Sequence, residues 1–148
     1  MTGMGTPITV VVVDDHPFFR DGVTRGLVAS GCIKVVAEAE NGRQGLEAIE
    51  RERPDVALVD YQMPDLNGLA VLHAVVRDKL PTRVVLLSAV TDGSVVFSAL
   101  EQGAAGYLSK EASRAEIVDA VRRVAEGATV VPAELVAGLA DPDAVPVE

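Results

Sequence analysis

The chain has 148 residues, of which 49% are hydrophobic and only 3% aromatic, and its formal net charge is −9. This length and composition predict one folded domain with an aliphatic core and exclude an intrinsically disordered chain. The acidic balance argues against direct contact with a nucleic-acid backbone, and the single cysteine excludes an internal disulfide. No hydrophobic run approaches the roughly 20 residues that span a bilayer, so we expect a cytoplasmic protein without membrane contact.

Short β-branched runs alternate with helical patterns along the chain. The runs at 8–13, 33–39, 55–60, 83–89 and 105–109 predict five strands. A residue suited to begin a helix follows each strand, and these residues are Pro17, Asn41, Asp65 or Asn67, Ser94 and, in a capping box with Glu116, Ser113. The helix that begins near Ser94 is predicted to run to 102, where Gly103 ends it.

Strands that are hydrophobic on both faces and separated by helices indicate a parallel sheet covered on both sides. We therefore predict an α/β fold over 7–127, a five-stranded, parallel, doubly wound, flavodoxin-like sheet with strand order 2-1-3-4-5. We predict that 1–127 form one domain. Residues 128–148 hold four acidic residues, three prolines and no Lys or Arg, so we expect a linker or its beginning, with a short helix over 133–140.

Charged and polar residues stand where the predicted strands end, namely Asp14, Asp15, Asp60, Ser88 and Lys110. The carboxyl ends of parallel strands share one edge of the sheet, so we expect these side chains to converge there. Three carboxylates at one place require a cation or raised pKa values, and oxygen ligands favour Mg²⁺ or Mn²⁺ over zinc. Taken singly, each residue has an ordinary explanation as a turn former or a solvated surface group. The whole set is what indicates a site.

The residue types at this edge can be explained by a single chemical reaction. A magnesium ion keeps several waters and takes only one or two protein carboxylates, which leaves a coordination position for a phosphoryl oxygen. Lys110 and Ser88 are placed to hold other phosphoryl oxygens. An aspartate can itself accept a phosphoryl group as a nucleophile. The pattern therefore favours phosphoryl transfer.

Four segments carry a resemblance to a known family. They are "VVVVDDHPFFRDGV", "DVALVDYQMPDLNGL", "VVLLSAV" and "AAGYLSKEAS". Together they resemble the receiver domain of two-component response regulators of the NarL/FixJ type, over about 7–127. One departure is that Glu111 follows Lys110, where many receivers have proline.

The resemblance implies a metal site and a phosphoacceptor. Asp60 would take the phosphoryl group from a sensor histidine kinase or from a small donor such as acetyl phosphate. Asp15 and Asp60 would bind Mg²⁺ directly with the backbone carbonyl of Gln62, and Asp14 would act mainly through metal-bound water. Gln62 and Val90 would flank the route of the attacking water.

The resemblance also implies a switch and partners. Lys110 would pair with the phosphoryl group or with Asp60 before phosphorylation, Ser88 would swing its hydroxyl to a phosphoryl oxygen, and Tyr107 would then rotate inward. Family members of this type continue into a helix-turn-helix domain that binds DNA, and they can form homodimers on phosphorylation. We expect a chain shortened after the receiver, so that DNA is reached only through that missing domain.

Three alternatives stay open on the sequence. The first is a stand-alone receiver that acts through protein–protein interaction. The second is a Mg²⁺-dependent aspartyl phosphohydrolase, although such enzymes usually have an Asp-x-Asp pattern after the first strand and a cap domain. The third is an interaction module that is never phosphorylated, which the complete set of acidic residues, Ser88 and Lys110 argues against.

Overall fold

Five strands and five helices alternate in the computed structural model, which describes residues 6–89 and 92–132. The elements are β1 (Ile8–Val13), α1 (Pro17–Ala29), β2 (Ile33–Ala39), α2 (Gly42–Glu52), β3 (Val56–Asp60), α3 (Gly68–Arg77), β4 (Arg83–Ser88), α4 (Gly93–Glu101), β5 (Gly106–Ser109) and α5 (Arg114–Ala125). The strands form one parallel sheet in the order β2-β1-β3-β4-β5. The predicted fold class and strand order are confirmed. The predicted helix over 133–140 lies outside the described residues.

The element bounds differ from the predicted ones by one residue at a few ends. β3 begins one residue late because the carboxylate of Asp55 accepts hydrogen bonds from the amide and the hydroxyl of Thr9, at 2.9 and 3.2 Å. α4 begins one residue early because the side chain of Asp92 accepts the Ser94 amide and so occupies the N-cap position. In both cases a side-chain hydrogen bond, which hydrophobic patterning does not detect, sets the boundary.

Alternating strand residues build two hydrophobic cores, one on each face of the sheet. Residues such as Val11, Val59 and Leu86 pack with α2, α3 and α4. Their neighbours, such as Val12, Leu58 and Leu87, pack with α1 and α5. These side chains are almost completely buried, and each contributes about 1.5–3 kcal/mol through burial. The two-sided burial explains why the strand sequences are continuously hydrophobic.

Side-chain caps begin four of the helices at the edge where the strands end, with Asp92 capping α4. Asn41 caps α2 and Asn67 caps α3, so Asn67 rather than Asp65 is the cap. Ser113 and Glu116 form the predicted capping box at the start of α5, with hydrogen bonds of 3.1 and 2.8 Å. No helix among the described residues has the length and hydrophobicity needed to cross a bilayer.

After α5 the chain turns back to the sheet. Gly127 has a φ of 103°, a left-handed conformation that favours glycine. Residues 128–132, the return segment, then run beside β5, where Val130 forms an isolated parallel bridge with Gly106. Val130 is only 9% exposed and belongs to the core on the α1 and α5 face. The return segment therefore covers the outer edge of β5.

Candidate functional site

The ends of four strands meet at one point of the sheet edge. Asp14 follows β1, Asp60 ends β3, Ser88 ends β4 and Lys110 follows β5. The ammonium nitrogen of Lys110 lies 3.0 Å from Asp60 Oδ2 and 3.1 Å from Asp14 Oδ2. The backbone adds to this arrangement, because the Lys110 amide donates a 2.9 Å hydrogen bond to the carbonyl of Ser88. The fold thus brings together residues that are up to 96 positions apart in the sequence.

Lys110 holds two buried carboxylates. The side chains of Asp14 and Asp60 are 1% and 3% exposed, and that of Lys110 is 16% exposed. Burial raises the pKa of Asp60 and the nearby charge of Asp14 adds to this, while the hydrogen bond from Lys110 opposes it. Burial by itself would lower the pKa of Lys110, but its hydrogen bonds to Asp60 and Asp14 outweigh this and the pKa is raised. The ammonium group therefore stays charged and lies against both carboxylates.

Candidate ligands for a cation, most of them carboxylate oxygens, surround this ion pair. One ligand atom each from Asp14, Asp15, His16 and Asp60 lies within 4.8 Å of the others. Asp15 Oδ1 is a buried oxygen that accepts no hydrogen bond within the described residues, although His16 Nδ1 lies 3.1 Å from it. A buried oxygen of this kind is costly unless a cation or a donor reaches it. Three carboxylates, one of them with an unsatisfied oxygen, fit a hard divalent cation such as Mg²⁺.

A cavity of about 630 Å³ opens above Asp60. Its lining residues are His16, Pro17, Phe18, Phe19, Asp60, Gln62, Ala89 and Lys110. The amide of Gln62 donates a 3.2 Å hydrogen bond to Asp60 Oδ1, which fixes the carboxylate from the loop side. Of the two residues predicted to flank the water route, Gln62 lines this cavity and Val90 lies outside the described residues. The buried carboxylate is thus accessible from one side to a group of phosphoryl size.

The two predicted switch residues are in contact. Tyr107 is completely buried, and its side chain forms a hydrogen bond with Ser88, whose own exposure is 1%. Burial raises the pKa of the Tyr107 hydroxyl, and the ring of Tyr61 packs edge-on at 6.0 Å between ring centroids. The resemblance implies that Tyr107 rotates inward after phosphorylation, whereas this structure already holds the ring inward. The inward arrangement is therefore accessible to the unmodified chain.

Three residues of the site were not predicted to support it. Arg20 donates a 2.6 Å hydrogen bond to the backbone carbonyl of Asp14, and it pairs with Glu38 at 3.1 Å. The Phe19 ring lies 4.8 Å from the ammonium nitrogen of Lys110, close enough for a cation–π contact. His16 precedes α1, and its Nδ1 lies 3.1 Å from carboxylate oxygens of Asp14 and Asp15. The short spacing of these residues after the acidic pair was the available signal.

The Lys110–Glu111 peptide bond, the one departure from the family pattern, is trans. The main chain continues from β5 through a short turn, in which the Ala112 amide donates to the carbonyl of Ser109 at 3.0 Å. Lys110 thereby reaches the two carboxylates without proline after it.

Comparisons with known proteins agree with this geometry. Residues 10–122 match the family model of the response regulator receiver domain. Over 133 residues the chain is 52% identical to the probable transcriptional regulatory protein NarL of Mycobacterium tuberculosis, covering 90% of this chain and 62% of that protein. It is 38% identical over 124 residues to the nitrate/nitrite response regulator protein NarL of Escherichia coli, covering 84% of this chain and 57% of that protein. The chain thus spans about 60% of the length of these two relatives.

A solved structure gives the same result. The signal receiver domain of the putative response regulator NarL from Mycobacterium tuberculosis superimposes with a TM-score of 0.81 and 50% sequence identity, over 83% of this chain and 99% of that chain. The family match covers β1 from Val10 onward, the other four strands and most of α5, and the similar structure has the same receiver fold. The chain belongs to the response regulator receiver domain family and is a receiver domain of the NarL type.

Proposed function

We propose that this receiver domain accepts a phosphoryl group on Asp60 from a sensor histidine kinase, in a Mg²⁺-dependent reaction. The observation that carries the proposal is the buried carboxylate of Asp60, which faces a cavity and is 3.0 Å from the Lys110 ammonium nitrogen. A structural carboxylate would not need such an opening. A nucleophile needs both an ionised oxygen and access to its substrate.

The covalent step is a transfer between two oxygens when acetyl phosphate is the donor. An ionised oxygen of Asp60 attacks phosphorus, a new oxygen–phosphorus bond forms, and the bond to acetate breaks with its electron pair leaving on acetate. Lys110 keeps Asp60 ionised before the step and neutralises phosphoryl oxygens after it. The Gln62 amide, 3.2 Å from Asp60 Oδ1, holds the attacking group in place.

Asp14, Asp15 and Asp60 would hold the magnesium ion, together with the backbone carbonyl of Gln62. When bound, Mg²⁺ would supply positive charge against the phosphoryl oxygens and reduce the repulsion between donor and carboxylates. The presence of Lys110 on two of these carboxylates means that the ammonium and the metal compete for the same negative charge. This competition supports a site that exchanges its cation rather than a permanent structural one.

Phosphorylation would then bias a two-state switch. The hydroxyl of Ser88 would turn to a phosphoryl oxygen, and Tyr107 would be held inward. We propose that 1–127 form the receiver domain and that 128–148 begin a linker. Since two relatives are called a probable transcriptional regulatory protein and a nitrate/nitrite response regulator, we propose that the switch controls a DNA-binding transcriptional output domain. Action of the receiver alone through protein contacts, and dimerisation on phosphorylation, are the other outcomes to be tested.

The test is incubation with acetyl phosphate, with and without MgCl₂, followed by mass spectrometry of the intact chain. The wild type should gain one phosphoryl group only with Mg²⁺, and Asp60→Asn should gain none. Asp78→Asn is the matched control, because Asp78 is an aspartate outside the site that pairs with the adjacent Arg77. Labelling of Asp60→Asn equal to that of the wild type would overturn the proposal.

The same samples separate a receiver from a phosphohydrolase. A receiver gives a stoichiometric aspartyl phosphate that decays slowly, whereas a hydrolase releases many phosphates per chain from simple phosphate esters. We expect no multiple turnover of p-nitrophenyl phosphate by the wild type. Turnover that is lost in Asp60→Asn would instead favour the hydrolase.

A further inference from the structure

The return segment is hydrogen-bonded to the backbone of the switch residue. The amide of Tyr107 donates to the carbonyl of Val130 at 2.9 Å, and the amide of Val130 donates to the carbonyl of Ala105 at 3.2 Å. Both bonds lie on the outer edge of β5, which would otherwise expose unpaired backbone groups. The start of the predicted linker is therefore attached to the strand that carries Tyr107.

The side chains and backbone at this edge fit closely against the return segment. A Cβ atom on Gly106 would lie 3.2 Å from the carbonyl oxygen of Val130, so a glycine here allows the close approach. Val130 inserts into the core on the α1 and α5 face, and Val131 packs against the opposite core, to which Tyr107 belongs. The segment thus closes over the end of both cores beside β5.

Tyr107 is the residue that joins the two parts of this arrangement. Its side chain bonds to Ser88 at the phosphoacceptor edge, and its amide bonds to Val130 at the linker. Within the described residues, two backbone hydrogen bonds join the return segment to β5, Val130 and Val131 pack against the two cores, and Pro132 is buried. A short edge segment of this kind can open locally at a lower free energy than global unfolding, so a change at Tyr107 can alter its state.

We propose that the switch acts on the return segment. The state of Ser88 and Tyr107 sets how tightly Val130 is bound to β5. The proposal rests on the proposed function, since phosphorylation of Asp60 is what biases Ser88. The phosphorylated state favours the inward Tyr107, which is the arrangement that holds Val130. Phosphorylation therefore tightens the binding of the return segment to β5.

Thermodynamic linkage makes the coupling reciprocal. If the inward Tyr107 favours the bound return segment, then the bound segment favours the inward Tyr107 by the same factor. Releasing the segment must therefore weaken the response of Tyr107 to phosphorylation. Val130→Asp is expected to release it, because a carboxylate at this buried position would lack a partner, whereas Thr129→Asp adds the same charge at an exposed neighbouring position.

The experiment is hydrogen exchange of individual amides by NMR on the 148-residue chain, with MgCl₂ alone and with added beryllofluoride, a phosphomimetic used with the receiver domain of RcsB. In the wild type, beryllofluoride should slow exchange of the Tyr107 and Val130 amides about fivefold or more. Asp60→Asn should show no response. In Val130→Asp, the Tyr107 amide should exchange faster without beryllofluoride, and its exchange should not slow when beryllofluoride is added. Thr129→Asp should behave as the wild type.

The outcomes separate this inference from the proposed function, because acetyl phosphate labelling is measured by intact mass on the same preparations. If the wild type is labelled on Asp60 but neither amide responds, the coupling between the switch and the return segment is refuted. The assignment of Asp60 as the phosphoacceptor is then retained. If the wild type is not labelled, both fail. The comparison of wild type with Asp60→Asn does not depend on how well Val130→Asp folds, and an unchanged response in a folded Val130→Asp would also overturn the inference.

Discussion

Replacement of Lys110 by methionine tests the electrostatics of the site. The ammonium nitrogen is 3.0 and 3.1 Å from two carboxylate oxygens, and each contact corresponds to a gross attraction of about 5 kcal/mol at an effective dielectric near 20. Most of this attraction is offset by the desolvation of the three groups. Removing one partner of a buried ion pair nevertheless costs about 3–5 kcal/mol, because the remaining charges are left uncompensated. We expect Lys110→Met to lower the free energy of unfolding by about 3 kcal/mol in EDTA at neutral pH.

Magnesium should reverse part of this loss. Without the ammonium group, Asp14 and Asp60 are free to bind a cation more strongly, so a given concentration of Mg²⁺ should stabilise Lys110→Met more than the wild type. A concentration a hundred times the dissociation constant adds about 2.7 kcal/mol. Urea unfolding of both chains in EDTA and in MgCl₂ measures the difference. Lys34→Met, the same exchange at an exposed position of β2, is the control.

The reasoning would be refuted by either of two results. One is a loss below about 1 kcal/mol for Lys110→Met in EDTA, which is the range of exposed ion pairs. The other is an equal stabilisation of wild type and Lys110→Met by Mg²⁺, since the ammonium and the metal would then not compete.

Three further predictions concern residues around Asp60. Burial raises the pKa of Asp60 in the folded chain above its usual 3.8. Between 3.8 and this raised pKa, the folded chain binds more protons than the unfolded chain. The free energy of unfolding therefore falls as the pH rises through this window. Asp60→Asn should lack this fall in urea titrations across it. Gly68→Ala should destabilise by about 1–3 kcal/mol and slow labelling, because the added Cβ would lie 2.6 Å from the Asp60 carbonyl oxygen. Gln62→Ala should change the decay rate of the aspartyl phosphate, followed by loss of the phosphoryl mass.

Each of these has a result that would contradict it. A pH dependence of stability that is the same for Asp60→Asn and the wild type would exclude Asp60 as its source. Gly22→Ala is the matched control for Gly68→Ala, because the nearest atom to its added Cβ is the flexible end of Arg114 at 3.4 Å, and equal stabilities of the two variants would contradict the steric account. An unchanged decay rate in Gln62→Ala would remove Gln62 from the water route.

The convergence of the site could be predicted because it depends on topology. Asp14, Asp60 and Lys110 each stand at the end of a hydrophobic strand, and in a parallel sheet those ends share one edge. The predicted caps at Asn41 and Ser113 are local, since each side chain bonds to an amide three residues on. Both the strand ends and the helix caps can therefore be predicted from short stretches of sequence.

Contacts that depend on tertiary packing were not predictable in the same way. The bonds of Arg20 to the Asp14 carbonyl and to Glu38 require the relative placement of α1 and β2, which hydrophobic periodicity does not fix. The burial of Val130 is similar, since a valine pair after Gly127 in an acidic, proline-containing stretch has the composition of a linker. Only the neighbouring Gly106, which allows the backbone of the return segment to approach, makes that packing intelligible.

The account as a whole depends on Asp60 being the residue that carries the phosphoryl group. Tandem mass spectrometry of wild-type peptides after brief treatment with acetyl phosphate and MgCl₂ locates that group directly. We predict a single modified residue, Asp60, in the peptide that contains the end of β3. A phosphoryl group found on Asp14, Asp15 or any other residue, with Asp60 unmodified, would contradict the account.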